Sequence, residues 1–180
     1  MNGYTENPVP QPKSKHYVLN TSENGYQHAL RQVFQKYGLS PNSVYTVLEL
    51  GCGAGSMTDA LLKVCQSIRT LHAVDYGVVL QMELFDSQIV IPIIGLISTV
   101  IEQPPICESL YDLIVCCTMS SHHGLNNWQL HVLAQKLRSS GYLLTLGDNG
   151  NLTSNNFFRK TFVTQLNGRF DDDTILWKKK

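Results

Sequence analysis

An excess of charge of either sign is missing from this sequence. Its 180 residues contain 14 lysines and arginines against 14 aspartates and glutamates, and charged residues make up only 16% of the chain. Domains that bind nucleic acids usually carry a basic face or a basic stripe. The balance therefore counts against a nucleic-acid partner, while it leaves small-molecule ligands and protein partners open.

Long apolar runs and paired cysteine motifs are also missing. No run approaches the roughly 20 apolar residues that cross a membrane, and the first segment, MNGYTENPVPQPKSKHY, lacks the apolar stretch of a signal peptide. The five cysteines form no CxxC pair and stand at no histidine spacing typical of zinc. These absences predict a cytoplasmic protein with reduced thiols, no metal and no contact with a membrane.

Composition divides the chain into a tail and one domain. Residues 1–16 are polar and rich in proline, so we expect a disordered tail. Residues 17–180 hold the apolar runs and are long enough for one core, which predicts a single domain. The spacing of apolar residues predicts four helices: from Ser22 to Tyr37, from Met57 to Ile68, from Asn126 to Leu137 with its end at Gly141, and over SNNFFRKTFVTQLNG near the C-terminus.

Five apolar runs predict strands between and beside these helices: VYTVLEL, TLHAVDY, IVIPIIGLI, YDLIVCCTM and GYLLTLGD. Near-continuous apolar strands that alternate with helices are typical of a mostly parallel sheet covered on both faces. Pro92 cannot donate to a sheet ladder, which suits an edge position for the third strand. The sequence thus predicts an α/β, Rossmann-like, doubly wound sheet in the order 3-2-1-4-5, with helices on both faces and a shortened C-terminal region.

A glycine-rich loop joins the first strand to the helix that follows it. The segment ELGCGAG, from Glu49 to Gly55, combines a backbone free of Cβ obstruction with the unpaired amides of a helix N-terminus, which suits a carboxylate or a phosphate. Asp75 ends the second strand, where a carboxylate can accept hydrogen bonds from both hydroxyls of a ribose. Together they predict a site for an adenosine with an anionic tail. The alternative is a strand-to-helix turn whose glycines serve only its geometry.

The loop also discriminates between cofactors. A nicotinamide-binding GxGxxG loop would need glycine at position 56, but the chain has Ser56 there, so the match is GxGxG. Glu49, two residues before the first glycine, favours a cofactor whose tail carries an ammonium group as well as a carboxylate. S-adenosylmethionine satisfies both conditions.

Five segments in order resemble the motifs of the class I S-adenosylmethionine-dependent methyltransferases: VLELGCGAG, VDYG, PIIGLIS, YDLIVCCTMSSHHGL and LRSSGYLLTLGD. The resemblance covers roughly residues 17–150 and implies methyl transfer from S-adenosylmethionine to an oxygen or nitrogen of a small-molecule acceptor. It implies that the cofactor contacts Glu49, Gly51, Cys52, Gly53 and Gly55 in the loop, Asp75 and Tyr76 after the second strand, Leu96 and Ile97 after the third, and Cys117 and Thr118 after the fourth.

Two departures from the family keep other functions open. Leu96 follows Gly95, where the family often has an acid that binds the adenine amino group, and the shortened C-terminal region leaves little of the usual closing hairpin. The chain could therefore be a non-catalytic or partner-dependent cofactor-binding subunit, with a protein partner or a second copy completing the substrate side. An RNA or protein methyltransferase is a further alternative, and a nicotinamide-dependent oxidoreductase comes last.

Candidate catalytic groups follow the fourth strand. His122 and His123 are placed where a general base could act on the acceptor, although they could also be loop residues that shape the pocket. Cys116 and Cys117 could be nucleophiles, but the Pro-Cys pair of the cytosine methyltransferases is absent. We therefore interpret both cysteines as small apolar residues of a buried strand.

Overall fold

Four helices lie along the described part of the chain. The computed structural model describes residues 23–77, 88–117, 125–146, 158–165 and 173–179, so the predicted tail of residues 1–16 lies outside it. The helices are α1 (Glu23–Tyr37), α2 (Ser56–Val64), the single turn α3 (Ile97–Val100) and α4 (Asn127–Lys136), and a 3-10 turn spans Pro41–Ser43. Helices α1, α2 and α4 confirm three of the predicted helices, although α2 ends at Val64 and does not reach Ile68. None of the described helices is long and apolar enough to cross a membrane.

The described strands form one seven-stranded sheet in the order β3-β2-β1-β4-β5-β7-β6. Strands β1 to β5 run parallel, and β7 is antiparallel to both of its neighbours, β5 and β6. The predicted order 3-2-1-4-5 is confirmed, with Pro92 on the edge strand β3. The strands span Thr46–Leu50 (β1), Thr70–Asp75 (β2), Val90–Ile94 (β3), Tyr111–Cys116 (β4), Leu137–Leu146 (β5), Phe158–Gln165 (β6) and Asp173–Lys179 (β7).

Apolar side chains cover both faces of the sheet, because successive residues of a strand point to opposite sides. Val47 on β1 belongs to a core that includes Leu30 from α1 and Leu61 from α2. The next residue, Leu48, belongs to a second core with Leu133 from α4. The sheet is therefore a middle layer between two helical layers, which leaves the ends of its strands as the places where polar groups can gather.

The boundary between α4 and β5 differs from the prediction. Helix α4 begins at a capping box, in which Asn126 and Gln129 exchange side-chain and backbone hydrogen bonds of 2.8 and 2.9 Å. It ends at Lys136, and Gly141 lies inside β5 rather than after a helix. A Cβ on Gly141 would stand 3.0 Å from the carbonyl oxygen of Tyr111, at an irregularity in the β4–β5 register. The glycine thus permits close strand packing instead of ending a helix.

The helix predicted over SNNFFRKTFVTQLNG is wrong, because residues 158–165 form β6. Strand β6 pairs antiparallel with β7, and β7 continues the sheet beside β5. Trp177 of β7 is buried, and its indole nitrogen donates to Thr145 Oγ1 of β5 at 3.1 Å. The C-terminal region therefore contains a closing antiparallel pair of strands, whereas the sequence predicted one helix and little of such a hairpin.

Candidate functional site

The glycine loop between β1 and α2 needs backbone conformations that side chains rarely adopt. Gly51, Gly53 and Gly55 have φ angles of 81°, 51° and 89°, in the left-handed region that favours glycine. At Gly51 there is also no space for a side chain, because a Cβ would stand 2.6 Å from the carbonyl oxygen of Cys117. The amide of Cys117 donates to the carbonyl of Leu50 at 2.9 Å, which holds the ends of β1 and β4 together at this point.

Asp75 connects the end of β2 to this loop. Its Oδ2 accepts a hydrogen bond of 2.8 Å from the amide of Gly53, and its Oδ1 accepts one of 3.1 Å from the amide of Gly77. The amides of Gly51 and Cys52 both donate to the carbonyl of Val74, at 2.8 and 3.1 Å. The predicted glycine loop and the predicted acid therefore meet. Each carboxylate oxygen can accept a further hydrogen bond, because it offers two lone pairs.

The first turn of α2 supplies free hydrogen-bond donors at the other side of the loop. The amide of Asp59 donates to the carbonyl of Gly55 at 2.9 Å and is the first in the helix to do so. Among the described residues, the amides of Ser56, Met57 and Thr58 have no backbone acceptor. Such a helix end attracts anions through its unpaired donors and its dipole.

Glu49 lies beneath the loop, fully shielded from solvent. Its Oε2 accepts a hydrogen bond of 2.6 Å from Thr58 Oγ1, and the thiol of Cys117 lies 3.9 Å from its Oε1. Burial raises the pKa of the Glu49 carboxyl to about 7, the two hydrogen bonds oppose this effect, and the charge of Asp75 adds to it. The acid that precedes the glycine loop is thus a buried group that can lose its proton near neutral pH.

Apolar side chains stand exposed beside Asp75. Tyr76 is 77% exposed, Ile94 is 71% exposed and Leu96 is 57% exposed. Ile94 is paired with Asp75 in the β2–β3 register. Ile97, in contrast, is only partly exposed and packs against the second core. A planar aromatic ligand could pack on these exposed side chains while the carboxylate of Asp75 accepts hydrogen bonds from a polar part of the same ligand.

The cysteines of the region are buried, as the apolar interpretation of the fourth strand requires. Cys52, Cys116 and Cys117 are at most 5% exposed. Burial raises the pKa of the Cys116 thiol to about 12 and holds that of Cys117 well above its usual range. A thiol in this state is a poor nucleophile. The described residues contain no group of histidine, cysteine and acidic side chains that could hold a metal ion.

Three predicted site residues cannot be placed. Thr118, His122 and His123 lie outside the described residues, so their roles stay predictions. Sequence reasoning missed Thr58, whose hydroxyl is buried against Glu49. The sequence contained a signal for this contact, because Thr58 lies close to the apolar residues Met57 and Ala60 on the buried face of α2. A hydroxyl that is buried in this way needs a hydrogen-bond partner.

Comparison with known proteins finds likeness in structure alone. No protein-family model matches the sequence, and no curated protein matches it by sequence. The solved structure of a fibrillarin/Nop5p complex matches 87% of this chain and 83% of its own, with 16% identity and a TM-score of 0.59. StiE O-MT matches 86% of this chain and 74% of its own, with 13% identity and a TM-score of 0.64.

Coclaurine N-methyltransferase, solved with N-methylheliamine and SAH, matches over 67% of this chain, with 20% identity and a TM-score of 0.52. This chain spans only 35% of that protein. Chains described as hemolysins share the same architecture, and a fold by itself does not decide an activity. The strand order, the closing antiparallel strands and these likenesses show that the chain has the fold of the class I S-adenosylmethionine-dependent methyltransferases.

Proposed function

We propose that this protein binds S-adenosylmethionine at the carboxyl ends of β1 and β2 and transfers its methyl group to an oxygen or nitrogen of a small molecule. One observation carries the proposal: the carboxylate of Asp75 is hydrogen-bonded to the amide of Gly53 in the glycine loop. This contact brings a carboxylate that can accept hydrogen bonds from ribose hydroxyls close to a helix N-terminus that can bind an anion. The neighbour solved with SAH supports the choice of cofactor.

The described residues fit the three parts of this cofactor. Asp75 has lone pairs left for the two ribose hydroxyls, and the exposed side chains of Tyr76, Ile94 and Leu96 offer an apolar surface for the adenine. The free amides at the start of α2 suit the carboxylate of the methionine part. Glu49, buried beneath the loop, would attract the ammonium group of the methionine part in its ionised form. Gly51, Cys52, Gly53 and Gly55 would form the wall between these parts.

The protein's own contribution to methyl transfer is to position the acceptor and to exclude water. When bound, S-adenosylmethionine supplies an electrophilic methyl group, and its transfer requires the acceptor atom in line with it. An acceptor that carries a proton also needs a general base, for which we propose His122 or His123. Cys117 and Thr118 would stand at the mouth of the site, since they follow β4. All five cysteines are free thiols, which suits the reducing cytoplasm as the place of action.

Isothermal titration of the purified chain with S-adenosylmethionine and its demethylated product tests the cofactor directly. We expect both to bind, and Asp75→Ala to weaken binding at least tenfold, as about 1.4 kcal/mol of lost hydrogen bonding would do. Asp59→Ala is the matched control, because it removes the same charge from an acid that pairs with Lys63 at 2.7 Å on α2. Absence of binding at millimolar cofactor, or equal affinity in both variants, would contradict the proposal.

A second candidate is a partner-dependent cofactor-binding subunit. It is favoured by the exposed Leu96, an apolar side chain at the position where the resembling family often has an acid. The fibrillarin structure, solved as a complex with Nop5p, shows that a protein of this fold can be found with a partner. Turnover distinguishes the two. We expect methyl transfer to members of a panel of small phenols, amines and carboxylates. Transfer only with an added partner would support the partner-dependent subunit, and transfer only to RNA or protein substrates would support an RNA or protein methyltransferase.

A further inference from the structure

Glu49 is a carboxyl group buried among neutral groups and a second acid. It faces the hydroxyl of Thr58 from α2 and the thiol of Cys117 from the end of β4. The thiol of Cys52 in the loop and the carboxylate of Asp75 on β2 are close enough to interact with it electrostatically. The ion pairs of the described residues join Asp59 to Lys63 and Asp112 to Arg138, so neither of them neutralises Glu49.

Such a position favours the neutral form of the carboxyl group. An ionised carboxylate without a cation loses its hydration on burial, and the free energy of ionisation therefore rises. Thr58 Oγ1 offsets part of this cost by donating a hydrogen bond. The Cys52 and Cys117 thiols, whose pKa values burial raises above their usual range, remain protonated and do not compete for the charge.

We propose that Glu49 holds a proton in the free protein below neutral pH and releases it to solvent when the cationic cofactor binds above it. This proposal rests on the proposed function, because the cation is the ammonium and sulfonium charge of S-adenosylmethionine. The O–H bond of Glu49 breaks, its electron pair remains on the carboxylate, and the proton goes to the buffer. The charge of Glu49 then couples the affinity for the cofactor to the pH.

The coupling has a measurable size. With the pKa of Glu49 about 7 in the free protein and near its ordinary value in the complex, affinity rises about 20-fold between pH 5.5 and 7.5 and levels off above that range. The sign follows from the raised pKa, because protons compete with the cofactor only while Glu49 is protonated. In Glu49→Gln the same position stays neutral at every pH, so this rise disappears.

Isothermal titration with S-adenosylmethionine at pH 6, in two buffers of different ionisation enthalpy, counts the released protons. We expect close to one proton per cofactor from the wild-type protein and none from Glu49→Gln. The titration of the cofactor's own ammonium group is common to both proteins and cancels in their difference. Asp59→Asn, which neutralises the acid paired with Lys63, is the matched control and should release as many protons as the wild type.

A second variant separates linkage from mere structural damage. Thr58→Val removes the hydroxyl that stabilises ionised Glu49 while it keeps the shape of the side chain. We expect the pH at which proton release is half complete to move upward in this variant. Equal proton release from the wild type and Glu49→Gln, with cofactor bound to both, would overturn the linkage and leave the proposed function standing. Failure of the wild type to bind the cofactor would overturn both.

Discussion

Replacing Glu49 with glutamine should stabilise the free protein, and by more as the pH rises. Burial lifts the pKa of this carboxyl from 4.5 to about 7. A group with a raised pKa stabilises the fold while it is protonated, and this stabilisation is lost as the pH climbs through the folded-state value. At about 1.4 kcal/mol per unit, ionised Glu49 costs about 3 kcal/mol at pH 8. Glutamine avoids the charge and can still accept the hydrogen bond of Thr58.

Urea unfolding of both proteins between pH 5 and pH 8 measures this effect. We expect the free energy of unfolding of Glu49→Gln to exceed that of the wild type by a margin that widens by about 2 to 3 kcal/mol across this range. Asp59→Asn, a variant of a more exposed acid on α2, should show no comparable widening. A margin that stays constant with pH would mean that Glu49 is ionised throughout, and it would refute the reasoning from burial.

Three further results are expected from the same structure. Gly51→Ala should destabilise the fold by about 3 kcal/mol or more, because its Cβ would meet a backbone carbonyl oxygen at 2.6 Å. Gly38 has a similar φ of 61° but open space around it, so Gly38→Ala should cost only about 1 kcal/mol. Thermal unfolding compares the two variants, and equal losses of stability would contradict the steric argument. Asp112→Asn should lower the free energy of unfolding by about 1 to 2 kcal/mol, since the carboxylate accepts two backbone amides of the β1 segment at 2.9 Å; a loss below about 0.3 kcal/mol would contradict its role. Burial lowers the pKa of His72, so on acidification this histidine is protonated in the unfolded chain before it is protonated in the folded protein. The free energy of unfolding should therefore fall as the pH drops below 6.5. Chemical unfolding at pH 7 and pH 5 should show a smaller fall for His72→Gln, and identical pH profiles for both proteins would contradict this role of His72.

Features that depend on neighbouring residues could be predicted from the sequence. The mostly apolar, β-branched run that ends at Leu50 indicates a strand buried on both faces, and the glycines after it can adopt positive φ angles at little cost. Pro92 removes one ladder donor and thereby indicates an edge strand. Combined with the strand order typical of doubly wound sheets, these local signals predicted the order of the parallel strands and the meeting of the glycine loop with Asp75.

Features that depend on contacts between distant residues could not be predicted from the sequence. The segment 158–165 spaces Phe158, Phe162 and Val163 as a helix would, yet it also contains the β-branched pair Val163 and Thr164, which suits a strand. Pairing with β7, which is itself held to β5 by the buried Trp177, decides between the two. Likewise, β5 begins at Leu137, which pairs with Tyr111 at the start of β4, whereas the local sequence pointed to a helix that ends at Gly141.

The sequence by itself determined that a glycine loop, an acid at the end of the second strand and an alternation of apolar strands and helices stand in the order of a doubly wound sheet, since each of these depends on a few adjacent residues. Tertiary structure alone decided the state of Glu49. Its residue type indicates a charge toward a cofactor, but its protonation depends on the solvent that α2 and the end of β4 exclude and on the hydroxyl of Thr58 that they supply. Burial and desolvation are properties of the assembled layers, and no short segment of the chain contains them.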